Sequence, residues 1–240
     1  PLPRDVLDAA LSRTPGDRSG VREALARLLA NASVRIQVFG GSLTLGMSSC
    51  SQSVRGVTRV ARACAWPARL SDQLRQGYPG ATVTVDNRAI GGCGTACLLP
   101  QVSLIEAGEY STPDLVIIDL AVNDVEFASE EAFAGSFEAL LRMIGTFVAF
   151  TRVIIFQTLP FSQDGAQMKK FELQQRMYEE LARHYQIQIV SCFDAARAFA
   201  SLGRKPTEFW APGNVWEHPL WWAHAYIADL AVHLLNQELV

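Results

Sequence analysis

An excess of positive charge, long apolar runs and metal-binding cysteine pairs are all missing from this sequence. Its 21 Lys and Arg are outnumbered by 24 Asp and Glu, and the net charge is −3. Proteins that bind nucleic acids normally carry a basic face, so no nucleic-acid partner is expected. No apolar stretch reaches the roughly 20 residues that a membrane-spanning helix needs, so no membrane span is expected either.

Cysteine is scarce, and its five copies are an odd number. No C-x-x-C pair or His/Cys cluster has the spacing of a zinc site, which argues against a metal. Either all five are free thiols, or one or two loop disulfides form, with Cys192 buried and free. We expect Cys50 and Cys64, which flank an irregular loop, to form a disulfide. Such a bridge would indicate secretion or the secretory-pathway lumen; localisation is otherwise unknown.

Repeats, low-complexity segments and linkers are absent as well. The 240 residues, of which 49% are hydrophobic, suffice for one large core. We therefore expect a single domain over residues 1–240, in which residues 1–31 form an N-terminal helical extension.

Five short runs of β-branched and aliphatic residues alternate with helix-like segments. The runs lie at residues 34–39, 81–85, 115–120, 152–157 and 187–190. This alternation predicts an α/β protein with three α/β/α layers and a five-stranded parallel sheet. One helix is predicted to begin at Trp66-Pro67 and another to run from 129 to about 150.

Polar residues follow the first three predicted strands. A tight glycine turn presents Ser42 after the first strand, a glycine-rich segment at 87–94 follows the second, and Asn123 follows the third. The carboxyl ends of parallel strands meet at one edge of a sheet, where ligands bind. With His218 before the last helix, the chain offers a nucleophile, a base and amide donors, which acyl transfer requires.

In this order the segments resemble the SGNH-hydrolase superfamily, the GDSL-type esterases and lipases. Gly41 stands where aspartate is more usual in the nucleophile block, and Ala121 stands where glycine is usual in the third block. The resemblance covers about residues 34–235 and implies a flavodoxin-like SGNH hydrolase fold. The matching blocks are 40–46, 87–92, 121–124 and 217–219.

The resemblance implies a role for each matching residue. Ser42 would attack an ester carbonyl and form an acyl-enzyme, with His218 as general base and then general acid. The backbone N–H groups of Ser42 and Gly92 and the side chain of Asn123 would form the oxyanion hole. No cofactor is implied. Asn123 could instead simply cap the turn before the helix that begins near Ser129.

One position departs from the family pattern. Where the family usually has an aspartate, three residues before His218, this sequence has Val215. We expect Asn214 or a backbone carbonyl to orient the imidazole, and Glu217 is the less suitable alternative. Asn87 and Asp124 are expected to brace loops, whereas His224 and His233 are expected to pack in the core.

The implied function is a serine esterase that acts as a monomer on a small-molecule or carbohydrate ester. Carbohydrate O-acetyl esters are slightly preferred because of a tryptophan-rich rim around His218 and a polar loop, although core packing is the more usual explanation of such tryptophans. A lipase or thioesterase for longer acyl chains is one alternative. A non-catalytic ligand-binding domain is another, supported mainly by Val215. The tryptophans are Trp210, Trp216, Trp221 and Trp222.

Overall fold

The computed structural model describes most of the chain and confirms the predicted architecture. Five parallel strands form one sheet, and helices cover both of its faces. None of the helices in the described residues combines the length and the apolar character that crossing a bilayer requires. The described residues are 2–47, 61–106, 112–124, 129–158, 165–205, 208, 218 and 221–239.

The sheet has the flavodoxin-like strand order β2-β1-β3-β4-β5, as predicted. The order reverses between β1 and β3, which pair so that Gly40 lies opposite Asp119 at their carboxyl ends. In open sheets of this kind, ligands bind at such a switch point. The strands are β1 Ser33–Gly40, β2 Thr82–Asn87, β3 Leu115–Asp119, β4 Val153–Gln157 and β5 Gln188–Ser191.

Ten α-helices lie in the described residues. Two of them, only four residues long, begin directly after β1 and β3 and were not predicted, because so short a helix shows no hydrophobic period. The helices are α1 Arg4–Ala9, α2 Ser19–Leu29, α3 Ser42–Leu45, α4 Trp66–Gly77, α5 Thr95–Glu106, α6 Ala121–Asp124, α7 Glu130–Ile144, α8 Gly165–Tyr185, α9 Cys192–Ser201 and α10 Trp221–Asn236.

Helix α7 is shorter than the sequence predicts. It ends at Ile144 rather than near residue 150, and a 3₁₀ turn, Phe150–Arg152, then leads into β4. Gly145 and the β-branched Thr146 are poor helix formers, so they end the helix there. The apolar residues beyond Thr146 continue the hydrophobic pattern of a helix in the sequence, although the helix itself has ended.

The core consists of two hydrophobic clusters, one on each face of the sheet. Because side chains alternate along a strand, Ile36 and Val38 of β1 belong to one cluster and Phe39 to the other. Val6 of α1 and Leu28 of α2 join the first cluster, so the N-terminal helices pack on the sheet. That residues 1–240 form a single domain stays a prediction.

Helix α4 begins at Trp66-Pro67 as predicted, and its first residue ties it to the sheet. Trp66 is fully buried and stacks on Phe156 of β4, with 5.0 Å between ring centroids. Its indole N–H donates to Thr44 of α3, at 3.3 Å. The start of α4 therefore supports the helix that follows β1.

Candidate active site

Ser42 is the first residue of α3, directly beyond the end of β1. Gly41 precedes it with an extended backbone, and Gly46 closes the short helix in the left-handed region, with φ +105°. Glycine adopts that φ without the steric cost that a side chain brings, so the chain can turn away sharply after one helical turn. The Ser42 hydroxyl lies 2.7 Å from Nε2 of His218, which joins the two predicted residues.

Position 41 has little room for a side chain. A Cβ built there would overlap Nδ2 of Asn123 and would lie 3.3 Å from the Cys93 carbonyl oxygen. A side chain at position 41 would therefore require the end of the Asn123 side chain to move.

Gly92 occupies a turn that presents its backbone N–H outward. The Cys93 N–H closes the turn on the Ile90 carbonyl at 3.1 Å, and the third residue, Gly92, has φ +72°. A positive φ at this position is typical of a type II turn, whose central N–H takes no part in the turn's own hydrogen bond. The Gly92 N–H donates to no group in the described part of the chain. The Ile90 N–H bonds Gly40 at 2.9 Å, which holds the turn beside Ser42.

Asn123 lies on α6, and its amide faces the Gly92 turn. Nδ2 donates to the Cys93 carbonyl at 3.0 Å. A primary amide has two N–H donors, so the second stays available to a ligand. Ser129 caps α7, because its hydroxyl accepts from the Ala132 N–H at 3.1 Å. Residues 125–128, the turn that Asn123 could cap, lie outside the described residues.

Two neighbouring polar residues brace this region, as predicted. Asp124 accepts hydrogen bonds from the backbone N–H of Thr95 at 2.7 Å and from its hydroxyl at 2.6 Å. Tyr178 donates to the same carboxylate, and burial raises the pKa of Asp124. Asn87 bonds the Thr44 carbonyl at 2.7 Å and the Ala89 N–H at 3.1 Å. Both side chains are occupied with the backbone of the surrounding loops.

His218 is half-buried, and this burial lowers the pKa of its imidazole. A lowered pKa keeps the ring neutral at neutral pH, which is the form that can accept the Ser42 proton. Asn214, Val215 and Glu217 lie outside the described residues. How the ring is oriented therefore stays a prediction.

A buried carboxyl group that contacts α3, the short helix beginning with Ser42, was not predicted from the sequence. Asp119 ends β3, and its two oxygens accept hydrogen bonds from the hydroxyls of Thr44 and Thr158. Burial raises the pKa of Asp119 to about 6, and these hydrogen bonds oppose the rise. An aspartate inside the aliphatic run 115–120 was the available signal, because a buried carboxyl needs partners.

The described tryptophans near His218 differ in burial. Trp221, at the start of α10, is 41% exposed, so core packing is the wrong explanation for it. Its ring meets the edge of Trp222 with 6.0 Å between centroids, and the Arg69 guanidinium lies 5.9 Å from its centre. Trp210 and Trp216 lie outside the described residues.

The other two histidines of α10 have different surroundings. His224 is fully buried, as predicted, and burial lowers the pKa of its ring to about 3. His233 does not pack in the core. Its Nε2 lies 2.7 Å from the Asp8 carboxylate, because α1 passes beside this end of α10.

The cysteines form disulfides and are not all free thiols. Cys93 and Cys97 are bonded to each other, and Cys192 is buried and free. Cys64 is disulfide-bonded, whereas Cys50 lies outside the described residues, so the pairing of these two stays a prediction. Within the described ranges, no group of three or more His, Cys, Asp or Glu side chains could hold a metal ion.

Sequence comparison identifies the family of this chain. The model of the GDSL-like lipase/acylhydrolase family matches residues 38–234. The chain therefore belongs to this family of hydrolases, within the superfamily that its motifs resemble. Comparison with curated proteins gives no significant match.

Solved structures of similar fold include several esterases. A two-domain esterase active on acetylated mannans, co-crystallised with mannopentaose, is 24% identical with a TM-score of 0.72; the match covers 97% of this chain and 56% of the esterase. An acetylxylan esterase from Geobacillus stearothermophilus is 17% identical, with a TM-score of 0.64 and coverage of 85% and 94%. A lipase/acylhydrolase from Enterococcus faecalis is 18% identical, with a TM-score of 0.62 and coverage of 85% and 96%.

Proposed function

We propose that this protein is a serine esterase that forms an acyl-enzyme on Ser42 and prefers O-acetyl esters of carbohydrates. The observation that carries the proposal is the 2.7 Å contact between the Ser42 hydroxyl and His218 Nε2. This is the nucleophile–base contact that acyl transfer by a serine requires. It lies at the switch point of the sheet, beside two amide donors.

The reaction follows from these positions. Ser42 Oγ bonds to the ester carbon while its proton passes to His218 Nε2, and the carbonyl oxygen becomes an oxyanion. The N–H groups of Ser42 and Gly92 and the free N–H of Asn123 stabilise that charge. His218 then returns the proton to the departing alcohol, which leaves an acyl-enzyme. Water, deprotonated by His218, attacks the acyl carbon; the bond from this carbon to Ser42 Oγ then breaks, His218 returns the proton to Ser42 Oγ, and the acid leaves.

The carbohydrate preference has two supports. Two structures of similar fold are esterases whose names specify acetylated mannans and acetylxylan. In addition, Trp221 presents an exposed ring three residues after His218, so their Cα atoms lie within about 11 Å of each other along the chain. An exposed indole beside the site offers a flat apolar face on which a sugar ring can stack.

A chain-length series tests the proposal. Wild type should hydrolyse p-nitrophenyl acetate faster than the butyrate and octanoate esters, and Ser42→Ala should hydrolyse none of them. Acetate release from acetylated manno- and xylo-oligosaccharides tests the carbohydrate preference directly. Faster turnover of octanoate would favour a lipase or thioesterase. Ester binding by wild type without turnover at any pH would favour a non-catalytic domain.

A further inference from the structure

The disulfide between Cys93 and Cys97 lies directly beside both non-serine donors of the proposed oxyanion hole. Cys93 follows Gly92 in the chain, and its N–H closes the turn that gives Gly92 its positive φ. The carbonyl of the same residue accepts the hydrogen bond from Asn123 Nδ2 at 3.0 Å. Any displacement of Cys93 would therefore move both donors together.

The other end of the bridge is anchored in a helix that Asp124 fixes. Cys97 lies in the first turn of α5, and its N–H bonds the Gly94 carbonyl at 3.1 Å. Asp124 holds Thr95, the first residue of α5, through two hydrogen bonds. Because Asp124 directly follows Asn123, the contacts form a closed ring from Asn123 through α5 and the disulfide back to Asn123.

The short span of the bridge argues for a local rather than a global role. Only three residues separate the two cysteines. In the chain-entropy model, so short a loop constrains the unfolded chain less than a long loop does. What the bridge does constrain is the Cys93 backbone, to which both donors are coupled.

A reductant can reach the bridge. Cys93 is 2% exposed, but Cys97 is exposed and lines an open cavity of about 290 Å³ together with Gly92 and Asn123. Thiol–disulfide exchange needs access to one sulfur only, and Cys97 is the exposed half of this bridge.

We infer that Cys93 and Cys97 are positioning residues, whose disulfide holds Gly92 and Asn123 in place for catalysis and makes turnover depend on its redox state. This inference rests on the proposed esterase function. On reduction, dithiothreitol is oxidised to its cyclic disulfide, and Cys93 and Cys97 each gain one hydrogen. The turn then keeps its backbone bonds but loses its covalent link to α5.

The test compares oxidised wild type with the double variant Cys93→Ala/Cys97→Ala on p-nitrophenyl acetate. We expect kcat to fall about 10- to 100-fold in the variant, less than the 10²–10³ typical of losing a whole oxyanion donor, with KM nearly unchanged. The pH of half-maximal activity should not move, because the bridge does not touch His218. A general loosening of the site would change KM and the pH profile as well.

Dithiothreitol separates this bridge from the disulfide of Cys64. Wild type should lose activity on reduction and regain it on reoxidation, whereas the double variant should not respond. The matched control Cys192→Ala removes a buried free thiol that is not part of the bridge and should respond like wild type. A thiol effect that persists in the double variant would assign the sensitivity to Cys64 and overturn the inference.

Two further results distinguish failure of this inference from failure of the esterase proposal. If oxidised wild type hydrolyses esters and the double variant has the same kcat, the inference is wrong and the esterase proposal stands. If oxidised wild type hydrolyses no ester, both fail. If the double variant does not fold, the single variant Cys97→Ser, which breaks the same bridge without reducing the disulfide of Cys64, provides the comparison.

Discussion

The side-chain amide of Asn123 has two N–H groups. One donates to the Cys93 carbonyl at 3.0 Å and fixes the side chain, and we propose that the other stabilises the oxyanion. Replacement by alanine removes both, yet α7 keeps its cap on Ser129. The fold should therefore survive the loss of this side chain.

We accordingly expect Asn123→Ala to lower kcat about 10²–10³-fold, as the loss of an oxyanion donor typically does, with an unchanged unfolding temperature. The matched control is Ser129→Ala. Loss of that cap should destabilise the protein by about 1 kcal/mol and leave kcat as it was. Unchanged turnover in Asn123→Ala would return the residue to a structural role.

The proposed role of Trp221 in stacking on a sugar can be tested by substituting this side chain. If its exposed ring stacks on a sugar, Trp221→Ala should lower kcat/KM on acetylated oligosaccharides about tenfold, near the upper end of the roughly 0.5–1.5 kcal/mol that an aromatic pair supplies beyond its buried area. Trp221→Phe should retain most of the activity, and p-nitrophenyl acetate, which has no sugar, should be hydrolysed equally by all three proteins. Equal losses on both substrates would mean that the ring only supports the fold.

At the scale of elements, a buried polar chain joins α3, α4, β3 and the end of β4. Trp66 donates to Thr44, and the hydroxyls of Thr44 and Thr158 both donate to Asp119. This chain of hydrogen bonds links α3, which begins with Ser42, to the sheet. It also contains a carboxyl group whose titration can be followed through stability.

The raised pKa of Asp119 determines in which direction its ionisation changes the stability of the protein with pH. Burial raises the pKa of Asp119 from 3.8 to about 6, so between these values the folded protein holds the proton more tightly than the unfolded chain does. The free energy of unfolding contributed by this group therefore falls as pH rises through the interval. Above about pH 6 the ionisation of Asp119 lowers the free energy of unfolding by its full amount, on the order of 3 kcal/mol.

Asp119→Asn cannot titrate and should not show this loss. The difference in unfolding free energy, variant minus wild type, should rise between pH 4 and pH 7 and then level off. Urea unfolding at a series of pH values measures it. Taking the difference cancels the opposite contribution of His224, whose low pKa destabilises the fold as pH falls below about 6.5. A difference that does not vary with pH would mean that Asp119 does not change its charge in this range.

At the scale of the whole molecule, what could be predicted from the sequence depended on the length of each pattern. The strands and long helices show periods over many residues, and the strand ends brought Ser42, Gly92 and Asn123 to one edge. The four-residue helices α3 and α6 show no period. Asp119 was missed because its partners lie far away in the chain. Position 41 was recognised as unusual, but only the structure shows that Asn123 fills the space.

The pH profile of the intact enzyme tests how His218 is held. Because burial lowers the pKa of its imidazole, and only the neutral ring accepts a proton, kcat/KM should rise with pH around a midpoint below 6.5. A carboxylate partner such as Glu217 would raise the pKa and move the midpoint above 6.5. Glu217→Gln should then abolish turnover, whereas under our expectation Asn214→Ala is the damaging change.

The central claim is that Ser42 is the nucleophile and that His218 activates it. Labelling with a fluorophosphonate probe, followed by mass spectrometry of the labelled peptide, tests it most directly. We expect rapid modification of Ser42 alone, much slower modification in His218→Ala, and none in Ser42→Ala. Rapid labelling of another serine, or equal labelling of Ser42→Ala, would contradict the claim.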